Sequence, residues 1–361
     1  MGGSSGNLVD FVSSMGGERA LRVEESLGEG YVRLRVAEAE RRQAKHDVRC
    51  VEDAVIEMLR NSRDAGARHI YVATTRDGAR RVTTVLDDGV GIPEDMHERV
   101  FEARVTSKLD SVHMDRWGVH GRGMALFSIR ENSVSAEVVS SAPGKGSSLR
   151  VVTDVESLAE RADQSSWPQT EKGEDGIYRC VRGPHNIIRT CCEFALEERS
   201  SCDVYLGSPS EIVATARARA ARSVDASQLV FLDSLSELPV LERLRVASDA
   251  SELREQAASL GLEISERTAH RIVSGEIAPL RSVAARLVGS GPSPSAHRDV
   301  DLTRDRRGLR LSREDVEELA RSMERDFAPI AERYYLTLLS DPKVRVGRGR
   351  ITVIFDVGET D

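Results

Sequence analysis

Two runs rich in β-branched and aliphatic residues, HIYVATT (69–75) and RVTTVLDD (81–88), flank the turn RDGAR. Both have the composition of strands, and Gly78 supplies the turn, so the chain is expected to fold back here as a hairpin. The second run stops sharply at DDGVGIP, where Gly89 and Gly91 permit a tight backbone and Pro93 ends the strand. A helical stretch over roughly 51–64 precedes the hairpin. After it come a polar segment reaching Trp117, then WGVHGRGMALFSIREN, which runs from glycines into a helix, and a second hairpin around APGKG. Helix, hairpin, glycine loop, helix and hairpin predict one α/β unit over residues 45–153.

The first helix carries an unusual face. In EMLRNSRDA (57–65), Glu57, Asn61 and Asp64 recur at spacings of four and three, which stacks them on one side of an α-helix. Such a face is either solvated surface or the wall of a polar site. The glycine clusters bear on that choice. Asp87 would end its strand at the opening made by Gly89 and Gly91, where the backbone can approach a ligand. Gly118, Gly121 and Gly123 precede a helix, whose N-terminal N–H groups suit phosphate. No βαβ unit surrounds them and no G-K-[ST] follows, so neither a dinucleotide fingerprint nor a Walker A loop is present.

Taken in order, EMLRNSRDAGA, DDGVGI and GVHGRGMALFS resemble the N-box and the two glycine boxes of the GHKL, or Bergerat-fold, ATPase superfamily. GKGSS stands where that family's last motif falls. The resemblance covers residues 45–153 and implies ATP and Mg²⁺ as ligands. It implies that Asn61 holds Mg²⁺, that Glu57 is the catalytic base acting on water, and that Asp64 lies at the pocket mouth. Asp87 would accept a hydrogen bond from the adenine amino group. Ser147 stands where the family usually has Thr, a departure that keeps the hydroxyl. EMLRNSRDAGARHIYV and ARVTSKLD look like MutL, which would make Lys108 a phosphate contact or a solvated loop residue. IPEDMHERVFEARVTSK and SSAPGKGSSLRVV look instead like histidine-kinase catalytic domains. HDVR at His46 has the look of a phosphoacceptor box, but it lies too close to Glu57 for an acceptor hairpin to fit between them.

The expected fold class is α/β (α+β). A leader and covering helix occupy 1–44, with residues 31–46 read as a single amphipathic helix. The sandwich of 45–153 is followed by a polar linker over 154–176 and a second, smaller α/β domain over 177–290. In that domain GIYRCVR, CDVYLG, QLVFLDS and VLERLRVAS read as strands, and HNIIRTCCEFALEE and PSEIVATARARAARS as helices. Residues 252–279 have the pattern of a helix-turn-helix, in which Arg267, His270 and Arg271 would face DNA. The competing reading makes LEI a short strand between two helices. The remainder, 291–361, reads as a long helix with a cap at Ser312, suited to packing or homodimerisation. A hairpin follows, made basic by Arg345, Arg348 and Arg350.

The net charge of −8 argues against a globally basic nucleic-acid coat. The five cysteines fit no C-x-x-C spacing and read as reduced thiols of a cytoplasmic protein, not zinc ligands. No apolar run reaches the roughly eighteen residues that span a bilayer, so no membrane is expected. The function expected is an ATPase that uses Mg-ATP binding and hydrolysis as a conformational switch. The segment 92–117 would serve as its lid, and the output would go to a protein partner or DNA. The alternatives are a histidine-kinase-like protein kinase and a nucleotide-sensing regulator without turnover.

Overall fold

The structure is a computed structural model that describes residues 23–35, 38–107, 113–115, 118–120, 123–161, 163–173, 176–220, 234–288, 313–347 and 350–359. It contains two compact units, 1–291 and 292–361. The leader expected before residue 23 lies outside the described residues, as does all of QLVFLDS before Ser234.

In the first unit, β1 (Val23–Gly28) and β2 (Tyr31–Leu34) form a hairpin, and α1 (Glu38–Ala44) is short. The single helix expected over 31–46 is therefore a strand followed by two helical turns. The sequence explains the difference: Tyr31, Val32, Arg33 and Leu34 alternate between half-buried and buried, a period of two. Gly28 and Gly30, both at positive φ, make the turn that returns the chain.

The helix expected at 51–64 is α2 (Val51–Asp64), with Val55, Met58 and Leu59 buried. The hairpin is β3 (His69–Asp77) and β4 (Arg80–Asp87). Then come β5 (Val105–Thr106), β6 (His113–Asp115), β7 (Gly118–His120) and α3 (Ala125–Glu131). The second hairpin is β8 (Ser135–Ser141) and β9 (Ser147–Asp154). A small hairpin, β10 (Gln169–Lys172) and β11 (Tyr178–Arg182), leads to α4 (Ile187–Glu197) and β12 (Asp203–Gly207).

The central sheet has the order β12-β3-β4-β9-β8, in which β12 pairs parallel to β3 and the other pairs are antiparallel. Its strands alternate between two covered faces. Ile70, Val72, Val85, Val151 and Val204 join one core with α2 and α4. Tyr71, Ala73, Leu86 and Tyr205 join the other. Burial on both sides is why Ile70–Ala73 is continuously apolar in sequence. The second face is covered by α5 (Pro209–Arg219), α6 (Val240–Val246), α7 (Ala250–Ser259) and α8 (Glu266–Val273). A short helix, α9 (Val283–Val288), packs on the α4 side.

The stretch read as a second domain thus shares one sheet with the stretch before it. The segment read as a linker is also packed: Leu158 is in the core and Trp167 lies against it. Glu160 accepts from Arg81 at 2.8 Å, and Glu52 accepts from the Arg161 backbone at 3.1 Å. VLERLRVAS, expected as a strand, is helix α6. Pro239 caps its start, and Val240, Leu241 and Leu244 bury one helical face. The β-branched ends of that run resembled a strand, but the apolar residues Val240, Leu241 and Leu244 recur at helical spacing.

The second unit holds α10 (Arg313–Arg333), which contains Pro329. Beside it are two antiparallel pairs, β13 (Leu336–Leu338) with β16 (Val357–Glu359) and β14 (Lys343–Gly347) with β15 (Arg350–Ile354). Phe327 stacks on Phe355 at 4.5 Å between centroids. Ser312 and Arg348 lie outside the described residues.

The shared sheet makes a testable prediction. A chain ending at residue 176 lacks β12 at the sheet edge and α4 on the first face, and uncovers Tyr71 and Leu86 on the second face. Each large apolar side chain returned to water costs about 1.5–3 kcal/mol, against a typical total stability of about 5–15 kcal/mol. The shortened chain should aggregate or melt without a cooperative transition, whereas a chain ending at residue 291 should melt cooperatively. A monomeric, cooperatively melting 1–176 fragment would show that the covering layer is dispensable.

Candidate functional site

Strand alternation places Asp87 on the same face as Val85, towards α2, and the β4–β9 register sets it directly opposite Ser147. There it forms the floor of a cavity of about 530 Å³, also lined by Tyr31, Glu57, Asn61, Asp64, Arg104 and Ser147. That volume is in the range of small-ligand sites.

Asp87 is buried, and burial pushes its carboxyl above the usual range. Three donors oppose that shift. Ser147 Oγ and Ser62 Oγ donate to Oδ2 at 2.6 and 2.9 Å, and the Gly89 N–H donates to Oδ1 at 2.9 Å. An ionised carboxylate has about four acceptor positions, so Oδ1 keeps one for a further donor.

The surrounding glycines are explained by backbone packing on backbone. Gly91 has φ +75°, and a Cβ on it would lie 2.0 Å from the Ala142 carbonyl oxygen. Gly146 has φ +76°, and its Cβ would lie 2.1 Å from the Asp87 carbonyl oxygen. Loops 88–92 and 142–146 interlock around the carboxylate, with Gly144 N–H donating to Val90 O at 2.7 Å. Gly89 sits on the end of α2, where a Cβ would meet Ala65 at 2.9 Å.

The polar face of α2 lines this cavity and is not a solvated surface. Glu57 accepts from Arg60 Nη1 at 2.6 Å, and Arg60 is almost fully buried. Asp64 accepts from Arg63 Nε at 2.9 Å, and Arg63 also reaches Glu198 at 2.9 Å, tying α2 to the end of α4. Asn61 is the exception: its Nδ2 is buried without a hydrogen-bond partner among the described residues. A buried amide left unsatisfied carries a cost unless a ligand completes it. An amide here fits a hard cation through its oxygen and a phosphate through its nitrogen.

Opposite α2, β5 pairs with β2, so the N-terminal hairpin and the 92–107 segment form one small sheet. Tyr31 lines the cavity from that hairpin, and its hydroxyl is hydrogen-bonded with Ser107. Arg104 is buried, with φ +64°. Its N–H donates to Gly123 O at 2.7 Å, and a Cβ on Gly123 would lie 2.9 Å from Val105 O. Gly123 therefore seats the second glycine cluster on the β5 segment. Gly118 is in β7, opposite Asp115, while Lys108 and Gly121 lie outside the described residues.

Arg267, His270 and Arg271 do not line this cavity. They are exposed on α8, whose Ala269 and Ile272 are buried. Arg271 pairs with Glu276 at 3.2 Å. LEI is an irregular turn between α7 and α8, not a strand. The turn is held to the sheet: Thr84 Oγ1 donates to Gly261 O at 3.0 Å, and Ser148 Oγ to Leu260 O at 2.8 Å.

Sequence reasoning had not assigned Tyr31, Arg60, Ser62, Arg104 or Gly146 to the site. Ser62 and Arg60 flank Asn61 and could have been suspected from that adjacency. Gly146 had a signal in GKG. Tyr31 and Arg104 had none, because the strand pairing that brings them in is non-local.

Residues 48–175 match the model of a family described as histidine kinase-, DNA gyrase B- and HSP90-like ATPase. Among curated proteins, the chain is similar to the DNA mismatch repair protein MutL of Thermus aquaticus, at 42% identity over 82 residues. That stretch is 22% of this chain and 15% of the relative. It is also 41% identical over 103 residues to MutL of Acidiphilium cryptum, covering 28% of this chain and 17% of the relative. The chain thus spans about a sixth of the length of these relatives.

Proposed function

We propose that the chain, whose residues 48–175 match the model of the histidine kinase-, DNA gyrase B- and HSP90-like ATPases, binds and hydrolyses Mg-ATP as a conformational switch. The observation that carries this reading is Asp87: a buried carboxylate with three donors in place and one acceptor position spare, facing the cavity. An adenine amino group supplies the missing donor. The guanine carbonyl at the equivalent position would set acceptor against acceptor.

Along α2 the roles then divide. Asn61 offers its amide oxygen to Mg²⁺, which when bound neutralises charge on the phosphate oxygens. Glu57 accepts a proton from water as the water oxygen bonds to the terminal phosphorus. The bond from that phosphorus to the β–γ bridging oxygen breaks, and ADP and phosphate leave. Closure of 92–117, of which 108–112 and 116–117 lie outside the described residues, would make binding a mechanical event. The layer α5–α8 on the other side of the sheet is the surface that would pass it to a partner, with Arg267, His270 and Arg271 of α8 facing DNA.

The nucleotide assignment is tested by calorimetry. ATP should bind far more tightly than GTP, and Asp87→Asn should cost about 1.5–3 kcal/mol of ATP binding. The amino group needs the ionised carboxylate, and burial raises the pKa of Asp87. ATP affinity should therefore be full above that raised value and fall as the pH is lowered through it. Equal affinity for ATP and GTP would overturn the assignment.

The division of labour along α2 is tested by paired variants. Glu57→Ala is a poor choice, because removing one partner of a buried ion pair typically costs about 3–5 kcal/mol. Glu57→Gln keeps an acceptor for Arg60. It should bind ATP at least as tightly as the parent and release phosphate about 10²–10⁴-fold more slowly. Asn61→Ala should lose nucleotide affinity itself. Wild-type turnover in Glu57→Gln would remove Glu57 from the base role. With γ-labelled ATP, label left on protein in place of free phosphate would replace hydrolysis with phosphoryl transfer to a protein.

The DNA output has its own check. Duplex binding should weaken steeply with salt, and Arg267→Ala with Arg271→Ala should flatten that dependence by roughly one unit of slope per lost phosphate contact. ATP affinity should stay unchanged. A gel-shift series without retardation at low salt would exclude this surface as a DNA contact.

A further inference from the structure

Arg60 has no role in the reading above, yet it is the most deeply buried cation at the cavity, 2% exposed. It lines the cavity beside Asn61, and its Nη1 lies 2.6 Å from Glu57 Oε1. Placing a guanidinium there is expensive, and the carboxylate one turn earlier offsets the cost. Position along the helix indicates what the pair faces. Ser62, five residues after Glu57, is bonded to Asp87 at the base-recognising end. At 1.5 Å of rise per residue, Glu57 lies about 7.5 Å further along the axis. A nucleotide anchored at Asp87 and extended along α2 would bring its phosphates towards Glu57 and Arg60.

We propose that Arg60 reads the terminal phosphate, exchanging its Glu57 partner for the γ-phosphate of ATP. The inference rests on the ATP-binding reading above. Without nucleotide, Glu57 Oε1 is occupied by the guanidinium. A terminal phosphate offers three acceptor oxygens and more negative charge than one carboxylate, and a planar five-donor fork suits it. When the guanidinium turns to the phosphate, Glu57 loses this ion pair, and the oxygen that held Arg60 can turn to water while a γ-phosphate is present. ADP leaves the Arg60–Glu57 pair intact. Arg60 is thus both a contact to the ligand and a positioning residue for Glu57.

The test measures the affinity of the full chain for a non-hydrolysable ATP analogue and for ADP. The proteins compared are the parent, Arg60→Met, Arg60→Lys, Glu57→Gln and the Arg60→Met/Glu57→Gln double variant. Melting temperatures confirm that each is folded. Arg60→Met should lower the analogue-to-ADP affinity ratio by roughly 10–100-fold, with ADP affinity unchanged, and Arg60→Lys should restore part of it. Glu57→Gln should raise analogue affinity when Arg60 is present and not in the Arg60→Met background, because the gain comes from releasing the guanidinium.

A parental ratio in Arg60→Met overturns the proposal, and so does a Glu57→Gln gain that survives the loss of Arg60. If Arg60→Met does not fold, Arg60→Lys and Glu57→Gln decide. A ratio unchanged in both leaves Arg60 as a structural ion-pair partner. A parent protein that binds neither nucleotide removes the ATP reading itself, a different outcome from an unchanged ratio.

Discussion

A buried carboxylate is tolerated only where enough donors converge on it, and Asp87 draws its donors from three different elements. Ser62 comes from α2, Ser147 from β9 and the Gly89 amide from the loop that ends β4. None of the three can move far without leaving a charge unsatisfied in the interior, at a cost of about 1–3 kcal/mol or more per lost bond. Helix, sheet and loop are therefore fixed relative to one another by the group that faces the cavity. The glycines follow from this. At Gly91 and Gly146 a side chain would collide with backbone that must lie close for the donors to reach, and both residues need positive φ besides.

What was legible in the sequence was what depends on neighbours along the chain. The β3–β4 and β8–β9 hairpins, helix α2 and the Glu57–Asn61–Asp64 face follow from local period and turn chemistry. Of the residues read from glycine spacing and family resemblance, Glu57, Asn61, Asp64, Asp87, Gly91, Gly123 and Ser147 line the cavity, whereas Gly89 bonds to Asp87 from the loop and Gly118 lies in β7. Pairings between distant segments were not legible. Nothing in Tyr31–Leu34 announces a partner at Val105–Thr106, and the charged residues just after it favoured a helix. CDVYLG was recognisable as a strand, but its parallel place beside β3 depends on α4 and the whole intervening chain. That one pairing is what joins the stretch read as a separate domain to the first sheet.

The apolar run Ile70–Ala73 carried a clue. A strand of a sheet with one solvated face should alternate in polarity, whereas one buried on both faces need not. Tyr71, stacked on Tyr205 at 4.8 Å, faces the layer formed by α5–α8. Continuous apolarity in β3 therefore already required a second cover, and only the later part of the chain had helices enough to provide it.

The same geometry bears on how a change at the cavity could reach that cover. Alternation along β4 and β9 turns Asp87 and Ser147 to one face, and Thr84 and Ser148 to the other. Ser148, next to the Asp87 donor Ser147, donates to Leu260 O in the α7–α8 turn, and Thr84 donates to Gly261 O beside it. The glycine loop is engaged as well. Lys145 O accepts from Val240 N at 2.9 Å at the start of α6, and Arg243 donates to Ser140 Oγ at 2.8 Å. The backbone that shapes the cavity is thus one residue away from bonds that hold α6, α7 and α8. A switch built on Asp87 would need no hinge between separate domains. A shift of β9 or of the 142–146 loop would act directly on α6 and on the turn that leads into α8, which carries Arg267, His270 and Arg271.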